Sequence, residues 1–108
     1  MNTLVKDSDI EWSELGGGIK RKIMAYDAQM MVVKVAFEAG GVGASHSHPH
    51  TQASYVSKGV FEITIDGKTQ TLIAGDVYFV PSGLIHGAFC IEAGELIDVF
   101  NPMREDFL

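Results

Sequence analysis

The sequence predicts an all-β fold, a sandwich or barrel of short strands. Three observations carry that prediction. Apolar, β-branched and aromatic residues gather in short runs; turn residues separate the runs at close spacing; and no long stretch has an apolar repeat of helical period. Met30 to Phe37 (MMVVKVAF) is the first clear strand. Val60 to Ile65 (VFEITI) and Thr69 to Ile73 (TQTLI) flank Asp66-Gly67, a dipeptide suited to tight hairpin turns. Asp76 to Val80 (DVYFV), Gly87 to Ile91 and Glu95 to Phe100 (ELIDVF) complete the series. Turns are expected at Gly40-Gly41, Gly59, Gly75, Pro81-Ser82-Gly83 and Gly94.

With 108 residues the chain is expected to form one domain, residues 1–108, with its barrel core in 30–100. Residues 1–25, which include Gly16-Gly17-Gly18, read as an N-terminal arm or edge strands covering a neighbouring subunit or the barrel wall. Open strand edges need cover, so a homodimer is expected. No segment approaches the roughly 18 apolar residues of a membrane span, and none resembles a signal peptide. With the lone Cys90 suiting a reducing compartment, the expected location is cytoplasmic, with no membrane partner. A net charge of −6 argues against nucleic acid, whose phosphates call for clustered Lys and Arg. An acidic small molecule would need local positive charge, from a metal or from one or two basic side chains.

All four histidines fall in two stretches, His46-Ser47-His48-Pro49-His50 and Pro81-Ser82-Gly83-Leu84-Ile85-His86. Neutral imidazole suits several divalent transition metals. Residues at i and i+2 point the same way on an extended strand, so His46 and His48 form a natural ligand pair. His50 shares that alternation, but Pro49 disturbs the strand, so a supporting or solvent-facing role is expected for it.

Two motifs then carry a family resemblance. Gly40, five residues, His46-x-His48, three residues, Gln52, six residues, Gly59 is similar to the first cupin motif. Gly75, five residues, Pro81-x-Gly83, two residues, His86 is similar to the second. The resemblance implies a double-stranded β-helix (jelly-roll) barrel. It also implies one divalent metal ion per subunit (Ni, Zn, Mn, Fe or Co), held by His46, His48, Gln52 and His86. The family usually has Glu where this chain has Gln52, and Asn where it has Cys90. A neutral amide beside three neutral imidazoles leaves the ion its full +2 charge, favouring Lewis-acid chemistry and anion binding over oxygen chemistry. Gln52 is also able to orient a water instead.

Leu15 to Lys22 (LGGGIKRK), the His46–His50 run and the tail from Asp98 to Leu108 together resemble the pectin-degradation cupins, the KdgF family. That resemblance implies an isomerase-type reaction: ring opening of 4,5-unsaturated uronate monosaccharides, released by pectin and alginate lyases, to the linear 5-keto-4-deoxyuronate. Asp98, Phe100 and Arg104 would then serve as the substrate-side residues. Asp98 would take a proton from the anomeric hydroxyl or deliver one to the enol carbon, Phe100 would pack on the ring, and Arg104 would pair with the carboxylate. Asp98 and Phe100 do face one way on a strand, opposite Ile97 and Val99. The plainer readings are a surface Asp98–Arg104 ion pair and a core Phe100. Lys20-Arg21-Lys22 is expected to be a solvated edge, with drawing in anions as its alternative role, Cys90 and the methionines Met24, Met30 and Met31 core filler, and Trp12 and Tyr78 candidates for the barrel mouth. Two alternatives to the enzyme are a non-catalytic sugar- or metal-binding cupin and a metal-dependent oxygenase. The missing carboxylate ligand counts against the second.

Overall fold

Two long antiparallel strands run through the whole barrel. In the computed structural model, which describes residues 2–108, β5 spans Thr51–Ile65 and β8 spans His86–Asn101. Met1, part of the expected 1–25 arm, lies outside the described residues. The other strands are β1 (Ser13–Gly16), β2 (Ile19–Tyr26), β3 (Met31–Phe37), β4 (Val42–His46), β6 (Lys68–Ile73) and β7 (Val77–Val80). Short 3-10 turns cover Asp7–Asp9 and Glu105–Phe107.

β5 and β8 pair from Thr51↔Asn101 to Ile65↔His86, and each belongs to two layers. The first half of β5 and the second half of β8 lie with β1, β2, β3 and β7. The remaining halves lie with β4 and β6. Every pairing is antiparallel. Phe37 of one layer meets Phe61 of the other edge-to-face, with ring centroids 5.2 Å apart. Around them pack Met31, Val33, Val35, Val56, Ile63, Cys90, Leu96 and Phe100. This is the jelly-roll barrel that the strand spacing and motifs predicted.

The strands change layer where their register slips, between Val56 and Phe61 of β5. Before the slip the buried residues are even-numbered (Gln52, Ser54, Val56); after it they are odd (Phe61, Ile63). Such an irregularity bends a strand and re-aims its side chains. Backbone crowding there demands glycine. Gly59 has φ +84°, and a Cβ on it would sit 2.6 Å from Gly94 Cα. A Cβ on Gly94 would collide with the Lys58 carbonyl. Gly59 and Gly94, expected as turns, are therefore bends inside continuous strands. The segments 87–91 and 95–100 join as one strand, and the strand expected at Val60 begins at Thr51. Asp66-Gly67 does form the tight hairpin turn, with φ +50° and +78°.

β3 buries Met31, Val33, Val35 and Phe37 by strict alternation, and leaves Met30 exposed rather than in the core. β2 alternates too. Lys22 is buried on the outer side of its layer, paired with Asp7 at 3.2 Å, while Arg21 faces the barrel across from Val35. The Lys20-Arg21-Lys22 run is thus split between two faces and is not a solvated edge. Trp12 lies under Lys20 and Lys22, each 4.8 Å from its ring centroid, away from the barrel mouth. No helix among the described residues is long and apolar enough to cross a membrane.

Candidate metal centre

Three imidazoles converge at one end of the barrel. His46 ends β4 directly across from His86, the first residue of β8, with ring centroids 4.4 Å apart. His48 lies in the following loop, not on the strand as its i+2 spacing suggested, because β4 stops at His46. It still reaches the cluster, 4.8 Å from the His86 ring and 5.5 Å from the His46 ring. One ligand nitrogen from each ring lies within 4.8 Å of the other two.

Backbone carbonyls fix which nitrogen each ring presents. His46 Nδ1 is 2.7 Å from the Ala44 carbonyl, His48 Nδ1 is 3.0 Å from the His50 carbonyl, and His86 Nδ1 is 3.0 Å from the Leu84 carbonyl. A carbonyl only accepts, so each Nδ1 carries the hydrogen and each neutral ring presents a lone pair at Nε2. His50 contributes through its backbone carbonyl. Burial is the main cause that lowers the pKa of both His48 and His86, keeping them neutral and available as ligands. Among the described residues, His86 Nε2 is buried without a hydrogen-bond partner, as a metal ligand would be.

Gln52, at the start of β5, ties the imidazoles to an acid. Its Nε2 donates to Ser54 Oγ at 2.9 Å, and Ser54 Oγ donates to Asp98 Oδ1 at 2.6 Å. The chain is a cross-strand row, since Ser54 pairs with Asp98 on β8 and with Tyr78 on β7. With its amide N–H engaged, Gln52 points Oε1 at His48 Nε2, 3.0 Å away. With Nδ1 protonated, both atoms are lone-pair acceptors, an arrangement that a cation bound by the two would relieve. The donor set of three imidazoles and one amide oxygen therefore fits a divalent transition metal.

Burial pushes the Asp98 carboxyl up to about 6, against the opposing effects of the Ser54 hydrogen bond and the Arg104 charge. Burial likewise raises the Tyr78 hydroxyl. Asp98 and Arg104 form no salt bridge with each other. Arg104 is buried and held side-on by Asp106, with Nε to Oδ1 at 3.0 Å and Nη2 to Oδ2 at 2.8 Å. That pairing holds Asp106 down at about 2. Phe100 is both core and site: only 2% exposed, it stands edge-on to His48 and Phe107, and the Arg104 guanidinium lies 5.0 Å over its ring. His46, His86, Gln52, Asp98, Phe100 and Arg104 border one cavity of about 260 Å³, which Tyr78 also lines.

No role for Ser54 follows from the sequence, and Arg21, which also lines the cavity, is marked there only as part of a basic run able to draw in anions. Ser54 lay in the unrecognised first half of β5, where its spacing of two from Gln52 would have marked it. Arg21 was grouped with its lysine neighbours, although strand alternation separates them.

The barrel and its histidine cluster define a cupin, and the chain belongs to that family: residues 33–100 match the model for the cupin domain. Within the family it is similar to the pectin degradation protein KdgF of Dickeya dadantii (strain 3937), 43% identical and covering 94% of each chain. The solved KdgF of Halomonas sp. is 36% identical with a TM-score of 0.95, covering 98% of this chain and 100% of that one. An RmlC-like cupin from Shewanella frigidimarina NCIMB 400 is 41% identical with a TM-score of 0.97, covering 100% and 97% respectively.

Proposed function

We propose that this protein is a metal-dependent isomerase of pectin degradation, opening the ring of 4,5-unsaturated uronate monosaccharides to the linear 5-keto-4-deoxyuronate. One observation carries the reading. A buried carboxylate with a raised pKa, a fixed guanidinium and two imidazoles of the three-histidine cluster border one cavity of a size suited to a single sugar, in a chain 43% identical to a pectin degradation protein. The cytoplasm and a homodimer belong to the same proposal; exposed Tyr55, Val77 and Phe79 on β5 and β7 support an association face.

His46, His48, His86 and Gln52 would hold the metal, which when bound supplies Lewis-acid polarisation of a substrate oxygen. Arg104, anchored on one edge by Asp106, offers its remaining N–H groups to the sugar carboxylate. Phe100 supports that guanidinium and walls the ring. In the reaction the anomeric hydroxyl loses its proton, the ring C–O bond breaks toward the ring oxygen, and the enol so formed takes a proton at carbon 4. No atom is gained or lost. Asp98 is placed in the reading as the group that accepts the first proton or delivers the second; a carboxyl near pKa 6 serves either step.

The test follows 4,5-unsaturated galacturonate by proton NMR with native protein, chelator-stripped protein and no protein. Faster loss of the ring alkene with the linear keto product, returning to the blank rate after stripping, is expected. A rate equal to the blank from metal-loaded protein overturns the enzyme reading and favours a binding cupin. Oxygen consumption by iron-loaded protein would favour an oxygenase.

A further inference from the structure

The cavity holds two guanidiniums, and only one has a carboxylate partner. Arg104 is ion-paired with Asp106. Arg21, reaching in from β2, makes no hydrogen bond or ion pair with any described residue, yet its guanidinium carbon lies 3.9 Å over the Phe107 ring. Arg104 lies over the same ring at 4.2 Å. An aromatic face positions a guanidinium through cation–π attraction without using its N–H donors. The side chain is therefore held in place with its whole donor fork unspent. Its half-buried setting, and the repulsion from Arg104 beside it, make the positive charge costly where it stands. A bound anion would relieve both.

From this geometry we infer that Arg21 is the residue that selects an acidic sugar over a neutral one, receiving the substrate carboxylate together with the free edge of Arg104. The inference rests on the proposed uronate chemistry and deepens it. Asp106 is hydrogen-bonded to Arg104 and offsets its charge directly, but acts on Arg21 only through space. Arg21 is the guanidinium with no acid in direct contact. A guanidinium also fits a carboxylate with two parallel hydrogen bonds, which an ammonium does not. Phe107, from the C-terminal 3-10 turn, acts as a positioning residue for both arginines.

The experiment measures binding of galacturonate and of galactose to metal-loaded protein by calorimetry. Both sugars are saturated and lack the alkene, so the result does not depend on turnover. Wild type should bind galacturonate at least about tenfold more tightly than galactose, the scale of one charge-assisted hydrogen bond. Arg21→Met should lose that preference while keeping its metal content and its galactose affinity, and Arg21→Lys should recover part of it. With the unsaturated uronate, Arg21→Met should raise KM by a similar factor and leave kcat within about threefold. Equal binding of the two sugars by wild type, or an undiminished preference in Arg21→Met, overturns the inference. Absence of turnover alongside an Arg21-dependent preference would overturn the ring-opening reading and leave the carboxylate receptor standing.

Discussion

Ser54 Oγ donates to Asp98 Oδ1 at 2.6 Å, and that single hydroxyl joins the acid to the imidazoles. Through Ser54 the carboxylate reaches Gln52, and through Gln52 it reaches His48. A change at Asp98 is therefore felt by a proposed metal ligand two hydrogen bonds away, and the reverse holds.

Ser54→Ala should keep the metal and lower kcat by roughly 10–100-fold, the scale of a hydrogen bond to a charged group. It also removes a contact that lowers the Asp98 pKa, so the pH profile should move upward. Ser54→Thr, which retains the hydroxyl, should restore most of the rate. A wild-type pH profile in Ser54→Ala would show that the serine only packs.

Asp98→Asn should keep stoichiometric metal and lose turnover. It should also stabilise the fold at neutral pH. The Asp98 pKa is raised in the folded state, so its ionisation costs stability as pH rises between about 4 and 6, and the cost is fully present at pH 7. A shift of about two units corresponds to about 3 kcal/mol. Metal-free wild type should thus gain stability relative to Asp98→Asn on acidification from pH 7 to 4, measured by denaturant unfolding. Parallel curves would place the charge outside a buried setting.

In kcat/KM the free enzyme should show a limb near pH 6 from Asp98. Activity falling as pH drops through it identifies a base; activity falling as pH rises identifies an acid. A bound divalent cation favours the carboxylate and should move the limb downward.

His86→Ala should cut metal affinity by more than the roughly 10–100-fold typical of losing an outer support to a ligand, read by elemental analysis after dialysis. Wild type at a metal concentration 100 times Kd should be about 2.7 kcal/mol more stable than the stripped protein, and the variant should show little of that gain. Stoichiometric metal in the variant would remove His86 from the ligand set.

Gly94→Ala should destabilise by more than about 2 kcal/mol in denaturant unfolding, because the new Cβ would collide with the Lys58 carbonyl where both long strands change layer. A loss under 0.5 kcal/mol would mean that the bend has slack.

The all-β class, the Asp66-Gly67 hairpin and the alternating inward row of β3 are legible in the residues alone, since these follow from period-two patterning and local turn chemistry. The sequence also marked His46, His48, Gln52 and His86, whose spacings carry the cupin motifs. Other features came only with the tertiary structure. Strand parity holds only until a register slip, and the slip at residues 56–61 depends on backbone contact between Gly59 and Gly94, far apart in the chain. On β8 polar Asp98 shares the buried inward row with Leu96 and Phe100, while apolar Ile97 and Val99 are half-buried on the other face. Periodicity reports which residues share a face, but which face is inside depends on the strands around it. The pairing of Arg104 with Asp106, the approach of Arg21 to the same aromatic ring, and the Gln52–Ser54–Asp98 chain are cross-strand or through-space contacts. No local rule encodes them, because their partners meet only when the barrel closes.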